Sequence, residues 1–439
     1  MLEETKPARR WNIYKIILID LGHESATAAM GKGKRNTTKP GGKPKSNKTK
    51  PKRVAEEAPT PPKADSSGTS LPIPLQQLIL NVFKTTLLPA EQLSCPEAQT
   101  PSLSLAEQIQ AIKAHLYRRD FVKAFTEADG DALRAYALRW SAGRALGYAA
   151  VFWGLKELLF AEAGGVEVLC VGGGAGAEIM ALAGVWRALW EEWREGRLSE
   201  RFSGLELGDV GDCENLSFGV AGLRVTAVDI ADWSGVVERL EAGMRSKSVP
   251  SPKLCPAPLL PAEEDGGSGP SSVGFRKQDV LSLSEDDIRN LLYPAASRPE
   301  TALGTTLVTL MFTLNELFST SIPKTVSFLL RLTDVLKPGS ILLIVDSPGS
   351  YSTVSLGSKA SSPQEAPDPD ETSPSSQRKY PMRFLLAHTL LSVAQEKWEC
   401  VLSDESRWFR RDRDALMYHV GEGIRLEDMR YQIHVYRRI

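Results

Sequence analysis

Cysteine is scarce and unpaired in this chain: Cys95, Cys170, Cys213, Cys255 and Cys400 share no short repeated spacing. That argues against a disulfide framework and a zinc module and for reduced thiols inside a cell. The five histidines are scattered, with no metal-binding or Cys/His nucleophile pattern, so no metal is expected. Long apolar runs are missing too. The early stretch "IILIDLG" after "WNIYK" is far too short to span a bilayer and has no small-residue cleavage site. Neither a membrane protein nor a signal peptide is expected.

What is present suffices for a large core, because 42% of the 439 residues are apolar. The net charge of -1 conceals a segregation: residues 30–54 hold ten Lys/Arg and no Asp/Glu. This arm has nothing to bury between its Gly, Pro, Thr and Ser spacers, so it is expected to be disordered. It reads as a nuclear or nucleolar address, or as a phosphate-binding tail. Met30, followed by "GKGKRN", reads as an alternative start, which would leave residues 1–29 outside the fold. The whole stretch 1–72 is expected to be a basic, disordered tail.

Residues 73–160 read as a helical region. Leu75, Leu78, Ile79, Val82 and Phe83 share one helical face, and Ser104 with Glu107 makes a capping-box pattern before Leu105, Ile109, Ile112 and Leu116. A third helix is expected from Asp131 through "ALRAYALRWSAGRALGYAAVF". From residue 161 to 439 strands and helices alternate: "VEVLCV", a long helix over 178–195, "GLRVTAVDI" ending at Asp229, and "FRKQDVLSL" ending near Asp279. "TTLVTLMFT", a helix over 323–336, "SILLIVD", "KWECVL" and "YQIHVYRR" follow. The pattern predicts an α/β, Rossmann-like domain with a mostly parallel seven-stranded sheet. Pro/Ser/Gly-rich stretches near 245–272 and 352–379 read as disordered insertions.

The first strand breaks into "VLCVGGGAGAE". Gly172, Gly174 and Gly176 form GxGxG at a strand-to-helix turn, where a backbone without Cβ can approach a ligand beside a helix N-terminus. Asp229 is placed to accept ribose hydroxyls, and Asp279 to meet an adenine amino group. Gly176 and Asp229 are 53 residues apart, against about 20 in the dinucleotide fingerprint. An inserted segment near 198–220 accounts for the excess. NAD(P) and S-adenosylmethionine both suit a glycine loop with a ribose acid. The GxGxG spacing, the acid after the third strand and "LKPGS" before the fifth favour S-adenosylmethionine. No Walker lysine follows the loop, which argues against an NTPase.

"RWSAGRALGYAAVF" (139–152), "VLCVGGGAGAE" (168–178), "VTAVDIADW" (225–233), "FTLNELFS" (312–319), "LLIVDSPGSYS" (342–352) and "YPMRFLLAHTLL" (380–391) together resemble the fungal 25S rRNA (uridine-N3)-methyltransferases. The resemblance implies an S-adenosylmethionine-dependent enzyme acting on N3 of a uridine in large-subunit rRNA. It further implies a pre-60S ribosomal particle as partner, a nuclear and nucleolar location with the cytoplasm also open, and a monomer. Many methyltransferases carry an acid two residues before the first loop glycine to hold the methionine ammonium. This chain has Cys170 there, so another group must take that role. Arg139 is the candidate for the methionine carboxylate, with helix packing as the alternative.

Uridine N3 carries a proton, so its methylation calls for a base or an anion-stabilising group. Glu316 is the candidate base and Asn315 the candidate partner for a uracil edge, although Glu316 could instead cap the following helix. Asp346 is a second candidate. Arginines and aromatics mix in "RWFRRDRD" (407–414), at Arg425 and Arg430, and in "YRR" (436–438). That mixture suits RNA, yet Asp412, Asp414, Glu427 and Asp428 dilute it. Two other readings stay open: a methyltransferase for a protein or small molecule, and a catalytically silent ribosome-assembly factor on the same fold.

Overall fold

The computed structural model describes residues 70–88, 103–118, 120–160, 165–203, 222–260, 271–294, 304–348, 353–355, 379–421 and 424–439. The expected tail lies outside them except for residues 70–72, as do Cys95, Cys213, residues 204–221 and most of the second insertion. No helix among the described residues is long and apolar enough to cross a membrane.

Strands β1 (Val166–Val171), β2 (Leu223–Asp229), β3 (Ser271–Lys277), β4 (Thr306–Met311) and β5 (Ile341–Asp346) pair in parallel. The short β6 (Thr353–Ser355) and β7 (Lys379–Pro381) pair only with each other. The long strands β8 (Trp398–Phe409) and β9 (Met429–Arg438) complete a seven-stranded sheet in the order β3-β2-β1-β4-β5-β9-β8. Strand β9 runs antiparallel to both neighbours, so the other six strands point one way. Strands β4 and β5 are buried at every residue, which is why they read as mainly apolar stretches rather than alternating ones.

The N-terminal helices belong to the same core. Helix α1 (Ile73–Leu87) buries Leu75, Leu78, Ile79, Val82 and Phe83, the face expected from their spacing. Helix α2 (Leu105–Tyr117) starts at Ser104 with both bonds of the capping box formed. Helix α3 (Gly130–Tyr136) passes through a π turn at Ala137–Ser141 into α4 (Ala142–Gly154), where a single helix was expected. Helix α5 (Ala177–Ser203) follows β1, and α6 (Ser234–Arg245) follows β2. Leu78, Phe83, Phe152, Val168, Trp186 and Leu240 share one continuous apolar cluster with the sheet. Four more helices follow: α7 (Glu285–Leu292), α8 (Leu314–Thr320), α9 (Ile322–Val335) and α10 (Met382–Ala387).

Two sequence expectations are corrected. Strand β3 ends at Lys277, and Asp279 instead caps a 3₁₀ turn over Val280–Ser282, accepting the Leu281 N–H at 3.0 Å. A short carboxylate competes well for backbone donors two residues on, and that ends the strand. The expected insertion near 245–272 is packed over 246–260, because Val249, Cys255, Leu259 and Leu260 are buried and Arg187 donates to the Pro258 carbonyl at 2.7 Å.

Because Phe83 is fully buried where α1 meets the rest of the core, Phe83→Ala is expected to destabilise the fold by about 3–5 kcal/mol. Chemical denaturation followed by tryptophan fluorescence measures this, and a change within about 0.5 kcal/mol would detach α1 from the cooperative core.

Candidate cofactor and substrate site

Strands β1, β2, β4 and β5 deliver their carboxyl ends to one cavity of about 510 Å³. It opens where the strand order reverses between β1 and β4, the position at which an open parallel sheet leaves a crevice. Gly172 and Gly173 line it, while Gly174 and Gly176 do not. Gly172 and Gly176 have positive φ (75° and 82°), which lets the loop turn sharply into α5. A Cβ on Gly174 would overlap the Trp233 indole, and one on Gly176 would overlap Leu240. Those two glycines therefore serve packing behind the loop. Gly173, by contrast, presents bare backbone to the cavity, and a Cβ there would sit 2.7 Å from Glu178 Oε2 and 2.6 Å from Cys170 Cβ.

Glu178 stands in the first turn of α5, almost fully buried, and its Oε1 accepts the Thr309 hydroxyl at 2.6 Å. Burial pushes its pKa up to about 8, and neighbouring Asp229 adds to the rise while Thr309 and Arg144 oppose it. Cys170 lies behind it, wholly buried, with a thiol that burial holds well above its ordinary pKa. The thiol is neutral; the carboxyl beside it is the group that can meet a cation. Asp229 ends β2 with Oδ1 accepting the Ala231 N–H at 3.1 Å, and burial lifts its pKa to about 6 despite those backbone donors. Asp279 also lines the cavity, on the same side as Asp229.

Tyr136, Ser141, Arg144 and Tyr148 form a helical wall of the same cavity. Their spacing explains the π turn: Ala142 N–H bonds the Ala137 carbonyl five residues back. That wider turn puts Tyr136 and Ser141 on one face, and α-helical spacing continues the row to Arg144 and Tyr148. Arg144 donates to the Tyr136 hydroxyl at 2.8 Å and stands 5.0 Å from the Phe312 ring centre. Burial disfavours its charge, yet Tyr136, Tyr148 and Glu316 hold its pKa above the ordinary value. Ser141 Oγ is buried with no hydrogen-bond partner.

Arg139 is not in this wall. It donates to the Arg425 carbonyl at 3.0 Å, pairs with Glu427 and stacks beside Trp140, so the structure places it against the C-terminal segment instead of the cofactor side. Helical spacing is the reason, since position 139 lies two residues before Ser141 and five before Arg144, on the far side of the helix from that row. Asn315 and Glu316 do line the cavity, at the start of α8. Phe312 precedes them with φ of 59°, an unusual conformation for an aromatic residue, and stacks on Tyr148 at 6.3 Å. Asp346 is buried, with a pKa raised to about 6 by that burial; its oxygens accept the N–H groups of Asn315 at 3.0 Å and Ser347 at 2.7 Å. It therefore fixes the turn that carries Asn315.

The sequence profile of a family described as "Putative SAM-dependent methyltransferase" matches residues 90–437. The chain belongs to that family. Its cofactor is S-adenosylmethionine. The methyltransferase is 33% identical over 372 residues to the 25S rRNA (uridine(2843)-N(3))-methyltransferase of Saccharomyces cerevisiae, covering 82% of this chain and 85% of that protein. Among solved structures, a methyltransferase from Methanosarcina mazei matches at 14% identity and TM-score 0.29, over 62% of this chain and 92% of its own. A DUF574 family protein from Streptomyces avermitilis matches at 12% identity and TM-score 0.31, over 82% and 97%. Similarity at that level adds nothing to the sheet order already described.

The residues present suit this cofactor. The cavity offers the unpartnered Ser141 Oγ, bare backbone at Gly173, an acid beside it at Glu178, and a second acid at the end of β2. The signals for Glu178 and Arg144 were inside the quoted motifs, but an acid in a first helical turn and an arginine in a helix both have ordinary structural uses.

Glu178 keeps its proton to about pH 8 in the folded chain, against an ordinary 4.5. The native state thus holds a proton that the unfolded chain has released, and this share of stability is lost as pH rises through about 8. Asp229 and Asp346 act with the same sign between about 3.8 and 6. The melting temperature of the cofactor-free methyltransferase is expected to fall from about pH 5 to 8. Glu178→Gln should flatten the upper part of that fall in a pH series of thermal melts.

Proposed function

We propose that this methyltransferase transfers a methyl group to N3 of a uridine in large-subunit (25S) ribosomal RNA. The observation that carries the reading is that the Arg144 guanidinium and Glu316 both line the cavity and attract one another electrostatically, with Arg144 5.0 Å from the Phe312 ring centre. An imide nitrogen must lose its proton before it can take a methyl group, and these two groups serve that need. The name of the yeast relative supports the same substrate. The nucleolar pre-60S particle is the place where such an RNA is met, and the basic stretch 30–54 supports that location.

Glu178 holds the methionine ammonium, taking the role that Cys170 does not perform. Gly173 leaves room for it, and Ser141 Oγ is available to the carboxylate end. Asp229 accepts the ribose hydroxyls, and Asp279 lies on the adenine side. When bound, S-adenosylmethionine supplies a methyl group on a positively charged sulfur, open to in-line displacement. The uracil ring lies against Phe312 and Tyr148. Glu316 accepts the N3 proton, Arg144 stabilises the charge spread onto the uracil oxygens, and Asn315 bonds the ring edge. Asp346 positions Asn315 through its backbone N–H.

The direct test is incubation of the full chain with S-adenosylmethionine and 25S rRNA, followed by nucleoside mass spectrometry. N3-methyluridine is the expected product; methylation of another atom, or none, sinks the reading. Glu316→Gln is expected to lower turnover by about 10²- to 10⁴-fold while cofactor affinity stays within a few-fold. The deficit should narrow at alkaline pH, where the imide ionises unaided.

Glu178→Gln is expected to weaken S-adenosylhomocysteine binding by about 10- to 100-fold, measured by calorimetry. Binding of 5′-methylthioadenosine, which lacks the amino acid portion, should barely change. Near neutral pH the wild-type chain should release close to one proton on binding S-adenosylhomocysteine, visible as a dependence of the heat on buffer, because a raised Glu178 must ionise to meet the ammonium. Equal losses for both ligands would move the ammonium site elsewhere.

A further inference from the structure

On the β8–β9 hairpin, Trp408 is 55% exposed, an uncommon position for an indole. The Arg410 guanidinium lies 5.5 Å from its ring centre, and Arg430, its cross-strand partner in the register, lies 5.8 Å away. Neither arginine makes an ion pair among the described residues; the only side-chain bond of Arg430 is to Ser406 Oγ at 3.1 Å.

The acids that dilute this stretch in the sequence are largely engaged elsewhere. Asp404 pairs with Arg407 at 2.8 Å, Glu405 with Arg383 at 2.9 Å, and Asp428 with Arg413 at 2.7 Å. Glu427 is bound to Arg139, and Asp412 accepts the N–H groups of Asp414 and Ala415 at 3.0 and 2.9 Å. Arg410 and Arg430 are thus left without an ion-pair partner among the described residues beside one exposed aromatic face.

The hairpin is also fixed to the cavity wall. Phe409 and Met429, on its inner face, pack against Gly147 of α4, between the cavity residues Arg144 and Tyr148. Gln432, on the face shared with Arg430, donates to the carbonyl of Ser347, which lines the cavity. Arg430 lies past the β5 residue paired with Gln432, hence at the carboxyl end of the sheet, where the cavity opens.

We propose that Trp408, Arg410 and Arg430 form a docking platform for single-stranded RNA flanking the target nucleotide, with a base stacked on the indole and phosphates held by the two guanidiniums. Stacking on an aromatic face tolerates any base, and guanidiniums supply phosphate contacts, so the platform grips the strand without reading its sequence. This rests on the RNA reading of the cavity and adds a second point of contact outside it.

The test uses the full chain and a fluorescent, uridine-centred single-stranded oligoribonucleotide, with affinity measured by anisotropy at low and high salt. Trp408→Ala is expected to weaken binding by about tenfold or more at both salt concentrations, and Trp408→Phe to restore most of the loss. Arg410→Ala with Arg430→Ala should lower the slope of log affinity against log salt by about 1.4, the value for two single-strand phosphates. S-adenosylhomocysteine affinity and melting temperature serve as folding controls and should stay at wild-type values. If the wild type forms N3-methyluridine and Trp408→Ala binds RNA as tightly as it does, the platform is overturned and the RNA reading survives. If the wild type neither binds nor methylates RNA, both are overturned.

Discussion

Burying one guanidinium among carboxyl groups is the constraint from which most of the site follows. Arg144 is only partly exposed, in the cavity wall, and its charge is supported by the Tyr136 hydroxyl, which accepts its hydrogen bond, and by the acidic groups that line the cavity. The same cation moderates the raised pKa values of Glu178 and Asp346. Each group is held in an ionisation state that depends on the others, which is how a compact pocket can receive both a zwitterionic cofactor and an acidic imide. Removing the guanidinium would therefore disturb both ends of the cavity at once, since a buried carboxyl loses its counter-charge at each.

Much of the scaffold was legible because its signals were local or doubled. Strands β4 and β5 are mostly apolar since both faces are covered, and the Ser104–Glu107 capping box is a short-range bond pattern that needs no tertiary context. The apolar face of α1 followed from its spacing alone. Strand β3 was misplaced because its sequence, Ser271–Lys277, is only partly buried and lacks an apolar run. The neighbouring "DVLSL" looked more strand-like but forms a capped turn, where the bond made by one Asp side chain outweighs a weak β-propensity.

The site was legible by position and less so by residue. Asp229, Asn315 and Glu316 reach the cavity since strand ends were correctly found, and strand ends in a parallel sheet converge. Arg139 was the candidate named in "RWSAGRALGY", but the helix turns it to the C-terminal segment, and Arg144, five residues on, is the arginine that lines the cavity. Cys170 flagged a missing acid, but only three dimensions reveal that Glu178, eight residues on, folds back to lie beside it. The glycine between them, Gly173, then has a plain purpose: any side chain would occupy the space that the carboxyl fills.

The π turn at Ala137–Ser141 takes up one residue of chain length on behalf of the pocket. An extra residue in a helix rotates everything beyond it by about 100° unless the turn absorbs it. Here the turn absorbs one, so Tyr136 stays in line with Ser141, Arg144 and Tyr148. Loss of one residue from this turn would return it to α-helical spacing, with Tyr136 four residues from the serine and still in phase with the row. A one-residue change of length is therefore tolerated here without moving the side chains that line the pocket.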